Sequence, residues 1–255
     1  MQSNRIKGFE YISNMNKKGY FSSDGAVLIR RDGDEYFNIP PLWDWHHIPG
    51  ATTYDDGKEL NMKHAVFPFN KTDLVFGKTQ NDILVAAMEL NRDGLTAKKA
   101  YFFFPDGVVC LGAGITNAIG HEIVTTLDQC LCKGEHSADT KVAHHNGYTY
   151  ISLDENPLTV ISESRSGCWQ DIQTNESPKT VTGEIFEVHI NHGTYPENAS
   201  YAYAIVPTGI SKAEAVSLVD SKVEIISNTT EVQQVRIDGK NLTINWAGKG
   251  NIEIE

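Results

Sequence analysis

Short runs in which apolar and polar residues alternate dominate the chain. DILVAAMELNRDGLTAKKAYFFF (82–104) contains two such runs around an Asp-Gly pair, and PDGVVCLGAGI (105–115) adds a third run after another Asp-Gly pair. Strict alternation is typical of half-buried strands, and Asp-Gly favours tight hairpin turns. These segments are therefore predicted to form antiparallel hairpins.

Five further segments between residues 121 and 208 have strand character. They follow one another at spacings of about 12 to 20 residues, as in proteins built from many short strands. The alternation is clearest in the last one, where Tyr201 and Tyr203 alternate with Ala202 and Ala204. The segments are HEIVTTLDQCLC (121–132), VAHHNGYTYISL (142–153), LTVISESRSGCWQDI (158–172), TGEIFEVHINHG (182–193) and ASYAYAIVPT (199–208).

AVLIRRDGDEYFNI (26–39) has a similar pattern. Apolar residues flank the Asp32-Gly33 pair, which predicts a strand, a turn and a second strand. Glu35 would then lie at the head of the returning strand, at a sheet rim. Rims and loops commonly carry functional groups, so Glu35 is a candidate, although a solvated glutamate beside a hairpin is the more common case.

One segment near the C-terminus looks helical. In SKAEAVSLVD (211–220), Ser211 is a candidate N-cap and Glu214 completes a capping box. The tail after it contains three short strand-like pieces and is either a separate β module or the last sheet. The sequence thus predicts an all-β fold of several antiparallel sheets, with a central domain over 1–220 and a short β module over 221–255.

Composition and charge restrict the possible functions. The chain has 255 residues, of which 40% are hydrophobic, enough for a substantial core. Its 33 acidic and 22 basic residues give a net charge of −11, which argues against nucleic acid as a partner. No apolar run reaches the ~18 residues of a membrane helix, and residues 1–20 lack the apolar core of a signal peptide. We expect no membrane span, and either a cytoplasmic protein or one whose natural N-terminus is missing.

The four cysteines show no pairing pattern. Cys130 and Cys132 lie two residues apart on a predicted strand, which is poor geometry for a disulfide or a zinc knuckle. Together with Cys110 and Cys168, they are expected to be buried or half-buried free thiols.

Aromatic and histidine side chains follow in PPLWDWHHIPG (40–50). On a strand, Trp43 and Trp45 would point to one face, where they either join the core or form a platform for sugar rings. His46 and His47 would point to opposite faces and would not easily serve one metal.

Histidine and tyrosine also occur together twice. A histidine beside a tyrosine can transfer protons, but both segments also look like ordinary strand-to-turn sequences. No motif of a serine hydrolase, zinc protease, P-loop protein or dinucleotide-binding fold is present. The candidates are His144, His145 and Tyr148 in HHNGYTY, and His189, His192 and Tyr195 in HINHGTY.

Taken in order, these motifs resemble one known family, polysaccharide lyase family 8. The run GYFSSDGAVLIRRDGDEYFNIPPLWDWHHIPGATT (19–53) resembles the opening of its central β domain, and the likeness covers about residues 5–207. VEIISNTTEVQQV (223–235) resembles the start of its small C-terminal β domain. The other matching segments are KKAYFFFPDGVVCLGAGI, GYTYI, SGCWQDI and INHGTYPENASYAYAIVPT.

The family contains chondroitin AC and ABC, hyaluronate and xanthan lyases. The resemblance implies a β supersandwich preceded by an α/α helical toroid, with a polysaccharide in the cleft between them. It implies β-elimination, in which the uronate carboxylate is neutralised, a Tyr/His pair handles the C5 proton and the 4-O-glycosidic bond breaks without water or cofactor. The neutralising Asn and the catalytic His, Tyr and Arg come from the toroid, and these 255 residues contain no series of long amphipathic helices.

For the β domain the resemblance implies one supporting catalytic residue. By its place in the Glu-Tyr pair this is Glu35, which would hold an arginine across the cleft by charge-assisted hydrogen bonds. Hyaluronate lyases differ here, so the glutamate favours chondroitin-type substrates. As a rim carboxylate, Glu35 is expected to matter much more for turnover than for stability. Trp43 and Trp45 are the candidate substrate-binding residues.

The chain departs from the family pattern at two places. The family's I-P-G-T-T is IPGATT here, with Ala51 inserted or substituted, and VFGKTQNDILV (75–85) replaces a glycine-rich pattern. Some relatives bind calcium near the second place, and Asp73 and Asp82 are the side chains that such a site would retain. No other metal or cofactor is expected.

Two functions remain open. The chain is either one wall of the cleft of an extracellular or periplasmic glycosaminoglycan lyase, inactive by itself, or a stand-alone carbohydrate-binding or scaffold module. A cupin-like metal enzyme is disfavoured because no close His/Glu spacing occurs on adjacent strands.

Overall fold

Antiparallel strands make up most of the molecule. The computed structural model describes residues 2–3, 15–60 and 70–255. Within them it contains eighteen strands, one α-helix and three short 3₁₀ helices. The strands form an eight-stranded sheet, two four-stranded sheets and a two-stranded ribbon, and every pairing is antiparallel. The predicted all-β, multi-sheet fold class is confirmed.

The eight-stranded sheet has the order β4-β5-β6-β7-β14-β11-β10-β9. The predicted Asp93-Gly94 turn is confirmed, and Asn146 and Gly147 form a further turn: all four residues have φ values between +48° and +78°, as a tight hairpin turn requires. A hairpin also forms at the predicted Asp106-Gly107 pair, with Pro105 and Asp106 as its turn residues. Strand β14 pairs with β7 on one side and β11 on the other. The strands are β4 (Val75–Gln80), β5 (Ile83–Arg92), β6 (Leu95–Phe104), β7 (Gly107–Asn117), β9 (His136–Ala138), β10 (Val142–His145), β11 (Tyr148–Ser152) and β14 (Ala199–Val206).

A four-stranded sheet of order β12-β13-β8-β3 covers one face of the large sheet. The core between them contains Tyr201 and Tyr203 from β14 and Phe186 and Val188 from β13. All four cysteines are free, with Cys110 and Cys130 buried and the other two half-buried, as predicted. The strands of this sheet are β3 (Thr52–Asp55), β8 (Glu122–Leu131), β12 (Thr159–Cys168) and β13 (Thr180–Asn191).

The C-terminal part covers the opposite face of the large sheet. Helix α1 (Lys212–Lys222) starts with the predicted capping box between Ser211 and Glu214. Four strands follow rather than the three predicted, and Ala202 and Ala204 of β14 pack into the core beneath them. Strand β14 therefore serves two cores, as its alternation predicts. The last strands, in order, are β15 (Val223–Asn228), β16 (Val232–Ile237), β17 (Lys240–Asn245) and β18 (Asn251–Ile254).

The hairpin predicted for residues 26–39 is wrong. The ribbon pairs β1 (Gln2–Ser3) only with β2 (Asp24–Ala26), and the chain then runs as an irregular loop to a 3₁₀ helix at Pro40–Leu42. The Glu35 carboxylate accepts the backbone N–H groups at positions 31, 32 and 33, which a hairpin ladder would otherwise use. The hydrogen bonds of the Glu35 side chain therefore override the local hairpin pattern of the sequence.

A buried lysine ties this loop to the body. The Lys99 ammonium donates to the carbonyl oxygens of Asp24 at 2.9 Å and Gly50 at 2.6 Å. Burial lowers the pKa of Lys99 to about 7, against the attraction of the Asp24 carboxylate. Both ends of the 24–50 segment are thus held by one side chain.

Among the described residues, no helix has the length and apolar character needed to span a membrane.

Candidate functional site

The segment around Trp43 and Trp45 is a turn, so the predicted strand is wrong. The Pro-Pro pair starts the 3₁₀ helix Pro40–Leu42, and the Asp44 carboxylate then accepts the N–H of His46 at 2.9 Å. These local bonds bend the chain. The two indoles still meet, edge to face, with ring centroids 5.4 Å apart.

The two tryptophans differ in access. Trp45 is 9% exposed and donates its Nε1–H to the carbonyl of Pro40 at 3.1 Å, so it belongs to the core. Trp43 is half-buried and donates its Nε1–H to the carbonyl of Gln129 at 3.1 Å. The predicted sugar platform is therefore restricted to the accessible part of Trp43.

Trp43 lines a surface groove, here called the Trp43 groove. Two adjoining cavities of about 480 and 280 Å³ form it and share Lys18, Trp43, Asp44 and Glu59. The larger cavity is also lined by Pro41, Leu42, Glu163, Arg165, Ser166, Gly167 and Asp171. The smaller one extends past Trp45, His46, Asp55, Gly57, Lys58 and Leu60.

Glu35 lies inside the loop rather than on a rim. It is 4% exposed, and its carboxylate accepts the N–H groups of Arg31, Asp32 and Gly33 and the hydroxyl of Tyr148, at 2.6 to 2.9 Å. The expectation of a solvated carboxylate is wrong, because the loop wraps around the side chain. The Arg31 guanidinium pairs with Asp32 instead of Glu35.

These bonds determine the protonation of Glu35. Burial alone would raise its pKa, but the hydrogen bonds from Tyr148 and from the backbone lower the pKa of Glu35 to about 2. Burial and Glu35 together raise the pKa of Tyr148. Glu35 is therefore a fixed anion that organises residues 31–35.

A second buried carboxylate lies beneath the Trp43 loop. Glu187 accepts from Nδ1 of His47 at 2.5 Å, from Nδ1 of His189 at 2.9 Å and from Arg165 at 3.1 Å. Burial would raise the pKa of Glu187, but these partners hold it well below its usual range. Gln129 binds the other side of the loop through the carbonyl of His47. The network attaches the loop to strand β13.

The close His/Glu spacing that sequence reasoning missed is Glu187-x-His189. Its two side chains share one face of β13, and His47 joins them from the loop with all three ligand atoms within 4.8 Å of one another. Glu187 and His189 lie on one strand and His47 lies in a loop, so the group is not the His/Glu spacing on adjacent strands that a cupin-like metal enzyme was expected to need. The 2.5 and 2.9 Å separations are those of hydrogen bonds, so the three side chains form a hydrogen-bonded network.

The other histidine of the pair, His46, belongs to a different group. Its ligand atom lies within 4.8 Å of carboxylate oxygens of Asp55 and Asp56. His46 is buried and its Nε2 has no hydrogen-bond partner, while Nδ1 lies 3.3 Å from Asp44. A carboxylate at Nδ1 fixes the tautomer that leaves Nε2 free to bind a cation. His46 and His47 thus lie in two different groups of candidate ligands.

Asp73 and Asp82 do not form the expected calcium site. Both are exposed, and strand β4 (Val75–Gln80) separates them. Because a strand extends ~3.3 Å per residue, its two ends cannot contribute ligands to one ion. Residues 61–69, which precede this strand, lie outside the described part.

The histidine candidates His144, His145 and His192 form their side-chain hydrogen bonds with partners other than the neighbouring Tyr148 and Tyr195. His145 accepts the N–H of Lys133 at its Nε2, and burial lowers its pKa to about 4. Burial also lowers the pKa of His192 to about 4, and its Nε2 meets the hydroxyl of Thr125 at 2.9 Å. His144 bonds to Thr149 through Nδ1. These are structural contacts of neutral histidines.

Comparison with known proteins places this architecture in one group. Residues 1–218 match the family model described as polysaccharide lyase family 8, super-sandwich domain. The chain is 32% identical to a chondroitinase-AC of Pedobacter heparinus over 278 residues, which cover 100% of this chain and 40% of that protein. It is 30% identical to the hyaluronate lyase HylB of Enterococcus faecalis, over 98% of this chain and 29% of that protein.

Solved structures agree. The chondroitin AC lyase of Streptomyces coelicolor A3, in complex with chondroitin sulphate, superposes with a TM-score of 0.84 at 28% identity, over 98% of this chain and 36% of that one. The chain thus spans less than half the length of these relatives.

Proposed function

Because the chain belongs to polysaccharide lyase family 8, we propose that it forms one wall of the substrate cleft of a lyase that cleaves a uronate-containing glycosaminoglycan by β-elimination. The similarity to a chondroitinase-AC over the whole chain carries this proposal. Neutralisation of the uronate carboxylate and removal of the C5 proton fall to a helical domain outside these 255 residues. Such a polymer is too large to enter a cell, so the complete enzyme acts outside the cell or in the periplasm.

Three tyrosines near Glu35 and Asp128 support this division of work. A tyrosine that removes a proton needs a lowered pKa. Burial and the neighbouring Asp128 instead raise the pKa of both Tyr36 and Tyr150, and Tyr148 is held by Glu35. Each of them donates its hydroxyl to a carboxylate that already fixes the fold.

Within this function Glu35 is a positioning residue. Its carboxylate holds the backbone of residues 31–33, and Arg31 lies 5.5 Å from the ring centroid of Tyr148. A loop fixed in this way presents a constant surface to the opposite wall of the cleft. The support is mechanical, through the loop, rather than a direct contact with substrate.

The test is an ultraviolet assay for the 4,5-unsaturated uronate product. This chain and a version extended upstream into a helical domain are each incubated with chondroitin sulfate and with hyaluronan. We expect product from the extended version alone, because the groups that transfer the proton lie there.

Product from the short chain would contradict the proposal and place a base within these residues. No product from either version, with both folded, would favour the alternative of a carbohydrate-binding module. Binding of the same polymers to the short chain is measured in parallel by calorimetry to separate these outcomes.

We also propose a cation site at His46, Asp55 and Asp56. The free Nε2 of His46 supports it, as does the Asp44 carboxylate behind the ring. Calcium takes six to eight oxygen ligands, so a set containing one imidazole fits zinc or manganese better. The calcium suggested by the family resemblance is therefore a poor match for these side chains.

Zinc or manganese added to the metal-free chain should raise its melting temperature, and calcium should have a much smaller effect. At a hundredfold excess over Kd the gain is about 2.7 kcal/mol, or roughly 5 to 10 °C for a chain of this size. His46→Gln should abolish the gain, while Asp73→Asn should retain it. The measurement is differential scanning calorimetry, and an equal response of the His46 variant would refute the site.

A further inference from the structure

We infer that the Trp43 groove binds an uncharged pyranose unit of the polysaccharide and disfavours a sulfated one. The inference rests on the proposed function and adds a chemical class of sugar to it. Its larger cavity, about 480 Å³, is within the range of small-molecule sites. A rigid indole forms one wall of this cavity, and charged side chains that are already paired with one another form the other.

The indole wall is fixed before any ligand arrives. Trp43 is held through its Nε1–H by Gln129 and by the edge contact with Trp45, which is itself bonded to Pro40. A rigid aromatic surface loses little conformational freedom when a ligand packs on it. The apolar C–H face of a pyranose is suited to such a surface.

The two cations of the larger cavity are already neutralised. Arg165 directs its donors to Glu163 at 2.7 Å, Gln129 at 2.7 Å and Glu187 at 3.1 Å. Lys18 pairs with Glu59 at 3.1 Å. Neither cation is available as a free partner for a sulfate.

The groove has more carboxylates than cations. Asp44, Glu59, Glu163 and Asp171 line it, against Lys18 and Arg165 in the larger cavity. A sulfate placed among them would be repelled at short range, where salt screens only in part. Sugar hydroxyls, in contrast, can donate charge-assisted hydrogen bonds to the same carboxylates. The pattern therefore selects hydroxyl donors over anions.

The experiment is isothermal titration calorimetry of the full chain with three tetrasaccharides: N-acetylchitotetraose, unsulfated chondroitin and chondroitin sulfate. We expect affinity to fall in that order, because negative charge increases along the series. Trp43→Ala should weaken binding of N-acetylchitotetraose about tenfold, equivalent to ~1.4 kcal/mol. Phe37→Ala, which removes a 74%-exposed aromatic ring elsewhere, should leave it unchanged.

Charge variants test the discrimination independently of Trp43. Glu59 and Glu163 have side chains 68% and 51% exposed, so Glu59→Gln with Glu163→Gln should fold normally. This double variant should bind the chondroitin sulfate tetrasaccharide about tenfold better, equivalent to ~1.4 kcal/mol. It should bind N-acetylchitotetraose more weakly, because neutral amides replace two of the carboxylates that accept the sugar hydroxyls.

Two results would overturn the inference: chondroitin sulfate binding as tightly as N-acetylchitotetraose, or binding that Trp43→Ala leaves intact. Its failure is distinguishable from that of the proposed function. An active extended enzyme whose groove binds no uncharged sugar would retain the function and remove the subsite. An inactive extended chain that still binds the three tetrasaccharides in the expected order would retain the subsite and remove the proposed function.

Discussion

Deleting residues 223–255 should leave a chain that no longer unfolds cooperatively and that aggregates. The deleted strands β15–β18 bury a set of large side chains against the eight-stranded sheet. At roughly 1.5–3 kcal/mol each, seven such residues contribute about 10 to 20 kcal/mol, comparable to the total stability of most domains, roughly 5–15 kcal/mol. The seven are Val235, Ile237, Leu242, Ile244, Trp246, Ile252 and Ile254.

The measurement combines urea unfolding, followed by circular dichroism, with gel filtration. Ile244→Asn and Ile226→Asn form a matched pair, because Ile244 is fully buried and Ile226 is 40% exposed. Only the first should destabilise the protein strongly. A monomeric, cooperative chain ending at residue 222 would instead support the separate C-terminal module that the sequence leaves open.

Replacing Glu35 by glutamine should cost about 2 to 3 kcal/mol, because hydrogen bonds to an ionised group contribute more than neutral ones. For a chain of this size that lowers the melting temperature by roughly 4 to 12 °C. The expectation that a rim carboxylate contributes little to stability is thus replaced by one derived from its burial. Asp34→Asn, one residue away and solvent-exposed, is the control and should change stability by less than about 0.5 kcal/mol.

The stability lost when Glu35 is replaced by glutamine should depend on pH in a defined direction. The folded pKa of Glu35, about 2, lies below its ordinary value of 4.5, so its contribution is complete above pH 4.5 and is lost as pH falls toward 2. The difference between native and Glu35→Gln proteins should shrink across that window. A difference that stays constant would mean that the carboxylate charge is not what holds the loop.

In the extended, active enzyme the same variant should also lower turnover, measured at a temperature where both proteins are folded. Tyr148→Phe removes one of the four donors to Glu35 and should cause a smaller loss of both properties. Full activity of the Glu35 variant would remove Glu35 from the function and leave it a purely structural residue.

The hairpins were predictable because their information is local. The pair Asp93-Gly94 lies between alternating runs whose two sides pair directly with each other. Asp32-Gly33 has the same local signature but fails, because Glu35 bonds the preceding amides and also Tyr148, which is far away in sequence. A turn can be predicted from a few neighbouring residues, whereas hydrogen bonding of the backbone by a side chain that is fixed by distant residues cannot.

The candidate site was less predictable for the same reason. Glu187 and His189 are two residues apart, but their partner His47 comes from a loop that no pattern connects to β13. His46 likewise meets Asp55 and Asp56 only because the chain turns after Pro40–Leu42. The family resemblance predicted the architecture, whereas the contacts of Trp43 depend on residues distant in sequence and are visible only in the folded structure.

The order of strands in the large sheet affects how the protein can be made. Strand β7 is synthesised long before its partner β14. Val108, for example, cannot pair until Ile205 has been synthesised. Until then a growing chain exposes an unpaired strand edge, which is a template for aggregation. Contacts so distant in sequence also form slowly. During translation β14 emerges only after β7 to β13, so chaperone protection of this edge of the nascent chain matters most just before residue 206 emerges.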